Sequence, residues 1–288
     1  MTSEQQDSDR FKPPGSILVG AMSAEGPYAS TWAQGWRWVG DSYRMFSTAA
    51  GPWLLQLIVL VVFWVMFTVI PFFGSLAGTV LGPVFAGGIL LGCAEQSRTG
   101  RLPLDSLFRG FQSSSFGQLA LLGLLNLAAS IAISIILGIL FLVLLGASLL
   151  SSGLSFDGDL ANQISELFAG AGLWRVLQAS LISVFVLLAT GLVLAGLLLM
   201  AFWFAPARIV FEGRTATAAI ADSFSACLKS WRGLTTFGLG MAALGLLACI
   251  PMLLGLLIVV PMWLIATYVV YREVFHGADA PRDAEAML

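Results

Sequence analysis

Four stretches without a single Asp, Glu, Lys or Arg govern what this chain can fold into. They cover 45–94, 110–156, 176–207 and 233–271, which are 50, 47, 32 and 39 of its 288 residues. A membrane-spanning helix needs roughly 20 apolar residues, so the first and last stretches can each hold two spans. Both are broken near the middle by an Ile-Pro pair, Ile70-Pro71 and Ile250-Pro251. Proline interrupts the helical hydrogen-bond ladder and disfavours the helical conformation in the residue before it. Each stretch therefore reads as a tight hairpin, about 53–71 with 74–94 and about 234–250 with 252–271. The second stretch is open to two readings, one long tilted span over 117–150 or two short ones. Nothing between Leu119 and Leu145 reads as a turn, and Gly138 stands alone among Ile and Leu. The third stretch offers one span, 177–203, ended by Phe204-Ala205-Pro206.

Composition agrees with a membrane protein. The chain is 58% hydrophobic and 10% charged, where soluble domains run about 45–50% and about 25%. A net charge of −2 argues against a nucleic-acid binder. Cys93, Cys227 and Cys249 form no CxxC pair, and His276 is the only histidine. No zinc site follows from that set, and no cofactor is expected.

Basic residues set the orientation. With six spans, Arg10, Lys12, Arg37, Arg44, Arg98, Arg101, Arg109, Arg208, Arg214, Lys229, Arg232, Arg272 and Arg282 share one side. Only Arg175 lies on the other, in a loop with Asp157, Asp159 and Glu166. Cytoplasmic loops carry the excess of Lys and Arg, so six spans with both termini cytoplasmic are expected. Two spans in 117–150 would move the four basic residues of the 204–233 loop outside. The polar residues 1–30 hold only a short apolar patch at 17–22, too short for a convincing signal peptide. They read as a disordered cytoplasmic tail, residues 31–275 as the membrane domain, and 276–288 as a second tail.

An internal repeat runs through the chain. A short amphipathic segment precedes each hairpin and carries the dipeptide Asp-Ser: Asp41-Ser42, Asp105-Ser106 and Asp222-Ser223. In the first segment Trp32, Trp36, Val39, Tyr43 and Phe46 are spaced to share one helical face. The third repeats this with Ala216, Ile220, Phe224, Cys227 and Trp231. Aromatic rings prefer the bilayer interface, so these faces read as anchors along the inner leaflet or, alternatively, as a lid or partner-binding face. Trp32, Trp36, Tyr43, Phe46, Phe224 and Trp231 are the candidate anchors. The three aspartates are a candidate interface, although Arg44 and Arg109 are placed to pair with two of them.

The motif Gly35-Trp36-Arg37-Trp38-Val39-Gly40-Asp41, with Phe46 and Pro52-Trp53-Leu54, resembles a family of uncharacterised bacterial inner-membrane proteins. Phe204-Ala205-Pro206-Ala207, Leu228-Lys229-Ser230-Trp231 and Tyr271-Arg272-Glu273-Val274-Phe275 extend the resemblance over about 32–276. More loosely, the layout is similar to the membrane domain of glycerophosphodiester phosphodiesterases, whose catalytic domain has no counterpart here. The resemblance implies a six-span helical fold and brings no catalytic residues.

Chemistry is sparse. No ionisable residue lies inside an expected span, whereas ion and proton relays usually need one. Asn126, with Ser130 and Ser134 on the same stripe, reads as helix packing ahead of a polar path. Gly74, Gly78 and Gly82, followed by Gly88 and Gly92, have the spacing of close helix contact, and Pro83 and Pro261 the position of kinks. There is no GxSxG or HExxH motif, P-loop or dinucleotide fingerprint. The expectation is a non-enzymatic inner-membrane module that organises, regulates or assembles with membrane components. The alternative is a transporter of an apolar or lipid-like substrate. Lipids and a membrane-protein partner are the expected contacts.

Topology is directly testable. Reporters fused after Thr99, Gly213 and His276 should read cytoplasmic, and one within 152–170 periplasmic. A periplasmic signal at Gly213 would break the six-span reading.

Overall fold

The computed structural model describes residues 27–69, 73–151, 171–250 and 254–277. Among them every regular element is an α-helix: α1 (Trp32–Thr48), α2 (Ala50–Val69), α3 (Phe73–Thr99), α4 (Ser106–Gln112), α5 (Phe116–Ser151), α6 (Ala171–Phe202), α7 (Ala205–Glu212), α8 (Ala216–Lys229), α9 (Trp231–Cys249) and α10 (Leu256–His276). Six of them, α2, α3, α5, α6, α9 and α10, are long and apolar enough to cross a membrane. This is an all-α, multi-pass membrane protein.

The expected spans recur with shifted ends: α3 runs on to Thr99 and α10 to His276, while α10 begins only at Leu256. α5 is one uninterrupted helix through Gly138, because a single glycine amid Leu and Ile costs only about 1 kcal/mol. α2 stops at Val69 and α9 at Cys249, just before the Ile-Pro pairs. Pro71 and Pro251 themselves lie outside the described residues, as do Asp157, Asp159 and Glu166. Pro83 is accommodated within α3 and Pro261 within α10.

Two boundaries differ from the sequence reading. The 204–233 loop holds a further short helix, α7, ahead of the expected third amphipathic helix, α8. Pro206 occupies the first turn of α7, where its missing N–H leaves no intrahelical bond unmade. Gly213 then ends α7 with φ +64°, its N–H bonded to the Arg208 and Ile209 carbonyls. A side chain with a Cβ adopts that conformation only with strain. Residues 27–30, expected to belong to the tail, also pack on the fold. Tyr28 N–H donates to the Val274 carbonyl at 2.8 Å, and Ser30 is buried. The remainder of the two expected tails, 1–26 and 278–288, lies outside the described residues.

Contacts divide the chain into two compact units, Met1–Leu127 with Met200–Leu288, and Ala128–Leu199. In the first unit the three amphipathic segments, α1, α4 and α8, do precede their hairpins as the repeat requires. Each seats on the hairpin of the preceding unit of the repeat, with α1 closing back on the last. α4 lies on α3, α1 lies on α9 and α10, and α8 is bonded to the end of α6. Small residues make these seats possible. A Cβ on Gly88 or Gly110 would collide with the backbone of Leu107 or Val84, and one on Gly35 with that of Gly233. On α8 the buried positions are Ala216, Ala219, Ser223, Ala226 and Cys227.

The serine of each Asp-Ser pair is the residue that enters the seat, and Ser42, Ser106 and Ser223 are fully buried. Ser42 Oγ donates to the Trp38 carbonyl at 2.7 Å. Ser106 Oγ accepts from Gln56 Nε2 of α2. Ser223 Oγ donates to the Met200 carbonyl at 2.7 Å and accepts from Phe204 N–H at 3.0 Å, joining α8 to the junction of α6 and α7.

The second unit is the distal part of the α5–α6 hairpin. There Gly191 packs against Leu137, and Ser148 Oγ meets Ser183 Oγ at 3.2 Å. No residue in 124–148 or 181–199 is buried, and Phe185, Leu188 and Leu192 are among the most exposed apolar side chains. In a bilayer such a surface is covered by lipid at no hydrophobic cost.

The glycines give a contrast that can be measured. Gly110→Val should lower the stability of detergent-solubilised protein by about 3 kcal/mol, because neither backbone can yield. A Cβ at Gly82 meets nothing within 4 Å, so Gly82→Ala should be neutral or stabilising by up to about 1 kcal/mol. Apparent Tm values of the two variants, compared with the parent, check both.

Candidate functional site

The polar chemistry of the described chain is concentrated where the spans end. Three groups of buried side chains stand there, each drawing on more than one helix.

The first fastens α1. Its indole Trp38 is fully buried and stacks edge-on against Phe237 of α9, with ring centroids 6.5 Å apart. Trp38 Nε1 donates to Glu273 Oε2 of α10 at 2.8 Å, and Arg37 reaches the same oxygen at 3.5 Å. Just upstream, Ser30 Oγ donates to the Ser230 carbonyl at 2.7 Å and accepts from Gly233 N–H at 3.1 Å. Ser230 Oγ returns a bond to the Tyr28 carbonyl at 2.8 Å. The chain entering α1 is thus tied to the start of α9 and the end of α10.

The second surrounds Arg208 of α7, 5% exposed. Its guanidinium donates to Asp222 Oδ2 of α8 at 2.7 and 3.2 Å, pairs with Glu212 one turn along, and lies 4.6 Å from the Phe275 ring centroid of α10. Tyr271 Oη donates to Glu212 Oε1 at 2.7 Å, and Arg214 pairs with Asp222 at 3.3 Å. Two cations and two carboxylates therefore balance. A buried guanidinium loses its hydration, and only paired, hydrogen-bonded partners restore that energy. Nearby, burial pushes the Cys227 thiol up to about 12, which keeps it protonated and unreactive.

The third joins α1, α2, α3 and the start of α4 through amides. Trp53 Nε1 donates to Gln96 Oε1 at 2.9 Å, and Gln96 Nε2 donates to the Met45 carbonyl at 2.6 Å and Thr48 Oγ1 at 3.0 Å. Gln56 Nε2 donates to the Pro103 carbonyl at 3.2 Å as well as to Ser106.

The sequence-derived anchors divide. Trp32, Trp36, Tyr43 and Trp231 are half or more exposed, in keeping with an outward face. Trp32 and Trp231 meet edge-on at 5.4 Å, and Trp36 lies along α9 against Gly240. Phe46 does not belong to that face; it is 6% exposed and part of the core. The buried stripe of α1 is Gly35, Trp38, Ser42 and Phe46, rotated from the expected one because Gly35 admits the α9 backbone and Glu273 captures Trp38. Phe224 is half-buried.

The three aspartates form no common site: each pairs with its own arginine. Arg44 meets Asp41 at 3.2 Å, Arg109 meets Asp105 at 3.1 Å, and Arg208 and Arg214 hold Asp222. Gly74 and Gly78 pack on Phe67 of α2, Gly88 and Gly92 on α4, and Gly82 faces open space. Asn126 is half-buried and partnered, and Ser134 Oγ bonds the Ser130 carbonyl. Pro83 is half-buried and Pro261 buried.

Trp38 and Glu273 stood in the motifs of the resemblance without an assigned role, and Gln56, Gln96, Arg208 and Glu212 were not among the candidate site residues. One signal was available: Arg208 and Glu212 stand four apart, one helical turn. The others depend on partners more than 40 residues away. Among the described residues no cluster of His, Cys, Asp or Glu fits a metal ion. No family model, curated protein or solved structure matches the chain, so the resemblance to bacterial six-span proteins rests on its motifs alone.

Removing Arg208 leaves Glu212 without its cation and Asp222 with Arg214 alone. Arg208→Met should cost about 3–5 kcal/mol and expose Arg214 to trypsin in inverted vesicles. The double variant Arg208→Met with Glu212→Gln should recover part of that loss, as read by thermal unfolding in detergent.

Proposed function

We propose that the chain is a non-enzymatic module of the bacterial inner membrane, both ends cytoplasmic, that organises, regulates or assembles with other membrane components. The observation that carries this reading is the use of the charges gathered where the spans end, of which Arg208 is buried and its carboxylate partners part-buried. Arg208, Glu212, Asp222 and Glu273 each bind another helix or the neighbouring turn of their own, so their bonding capacity serves attachment. A general base or coupling carboxylate instead needs a free face toward substrate. The three seated interfacial helices support the same reading, because they present a rigid surface at the membrane boundary. So does the sequence resemblance, which brings no activity with it.

The second reading, a transporter of an apolar or lipid-like substrate, draws on the exposed α5–α6 hairpin, since lipid movement needs a groove and not a buried charge. Purified protein in liposomes should show no uptake of polar solutes driven by proton or sodium gradients. Half-helix carbonyls can bind sodium without a carboxylate, and Pro83 and Pro261 are where such breaks would sit. Gradient-dependent uptake that is lost in Pro83→Ala or Asn126→Ala would overturn the proposal in favour of transport.

A further inference from the structure

We infer that the corner formed by α1 and the start of α9 is a binding site for an anionic phospholipid. The inference holds whichever of the two functional readings is correct. Three features coincide there. Lys229 and Arg232 bracket the α8–α9 junction and are exposed. Among the described residues neither forms an ion pair, whereas the neighbouring carboxylates are engaged: Asp41 by Arg44, Asp222 by Arg208 and Arg214, Glu273 by Trp38 and Arg37. The guanidinium carbon of Arg232 lies 5.7 Å from the Trp231 ring centroid, which holds the cation at the level of the indoles.

Below the cations stands an aromatic wall. Trp231 and Trp32 meet edge-on, and each is 50% exposed. Trp36, 60% exposed, continues the wall against Gly240 of α9. Past it, on the exposed side of α9, Thr235 turns its hydroxyl back to the Trp231 carbonyl and Leu239 follows as an exposed apolar side chain. At 1.5 Å per residue, Thr235 and Leu239 lie about 6 and 12 Å from Trp231 along the axis, within the depth of one leaflet.

A cationic rim, an indole wall and an apolar side chain beyond it match one molecule in order: phosphate, glycerol backbone, acyl chain. Indoles favour the interfacial level, and juxtamembrane Lys and Arg each gain roughly fivefold in affinity against an anionic surface. A zwitterionic lipid offers the same chain and a neutral head, so the charge pair discriminates between them. Seat and ligand also share a geometry. The bonds among Tyr28, Ser30, Ser230 and Gly233 hold α1 against α9, so the wall is formed before lipid arrives.

The test uses the full chain in nanodiscs, with spin-labelled phosphatidylglycerol and phosphatidylcholine as probes. The parent protein should hold the anionic probe at least tenfold more tightly, with the preference shrinking as salt rises. Lys229→Gln with Arg232→Gln should abolish most of that preference while leaving helix content and elution unchanged, since both side chains are exposed. Trp32→Ser with Trp231→Ser should weaken both probes together. Arg98→Gln with Arg101→Gln, at another helix end, should leave the preference intact. Equal affinity of the parent for both probes would overturn the site, as would a preference that survives loss of Lys229 and Arg232 or falls equally with Arg98 and Arg101. A photoreactive residue at Trp32 should label lipid; a discrete protein adduct there would overturn the assignment by making protein the occupant.

Discussion

Close approach between the interfacial helices and the ends of the spans is the constraint on which the rest of this structure depends. Helices that lie beside a span at backbone contact need glycine, alanine or serine at the crossing, and each seat supplies them. Gly35 meets Gly233, Gly88 and Gly92 meet the start of α4, and α8 offers alanines with Ser223. Once backbones are this close, polar groups at the crossing lose access to water, so each must be bonded within the chain. The bonds of Ser30, Ser106, Ser223, Gln96 and the Gln56 amide nitrogen follow from that requirement, and Gln56 Oε1 is the exception, buried without a partner.

The same requirement explains where charge is tolerated. The membrane interior excludes unpaired ions, and the charge-free runs respect that limit. At the ends of the spans charges return, yet Arg208 is almost wholly buried there. It is admitted because Glu212, Asp222 and the Phe275 ring surround it on one side of α7. Deleting one partner is therefore costlier than the pair itself is stabilising. The cost of its isolation, more than the strength of its attraction, keeps α7, α8 and α10 together.

The repeat acquires a physical meaning in this setting. Asp-Ser marks the same place in three segments because a small hydroxyl residue fits a tight seat, while the preceding aspartate remains outside and pairs with an arginine. The aspartates drew attention in the sequence because charge is conspicuous in an apolar chain. The serines carry the contact. A periodic aromatic face was legible for Trp32, Trp36 and Tyr43, but Phe46 fits that period and is nonetheless buried. Helical spacing places it on a border, and the packing of α1 on α9 and α10 decides which side of the border is inside.

Sequence alone determined the class of this protein and the number of its spans, because hydrocarbon imposes a length and a polarity that few chains satisfy by accident. It also determined that the first and last charge-free stretches each divide into two helices, and the order of interfacial helix and span. Tertiary structure decided which residues fasten the helices. Trp38 with Glu273, Arg208 with Asp222, and Trp53 with Gln96 are separated by 235, 14 and 43 positions, and no local pattern links such partners. A hydrogen bond across that distance is chosen by the fold, since only the packed helices bring donor and acceptor within 3 Å or so and close off the water that would otherwise satisfy each alone.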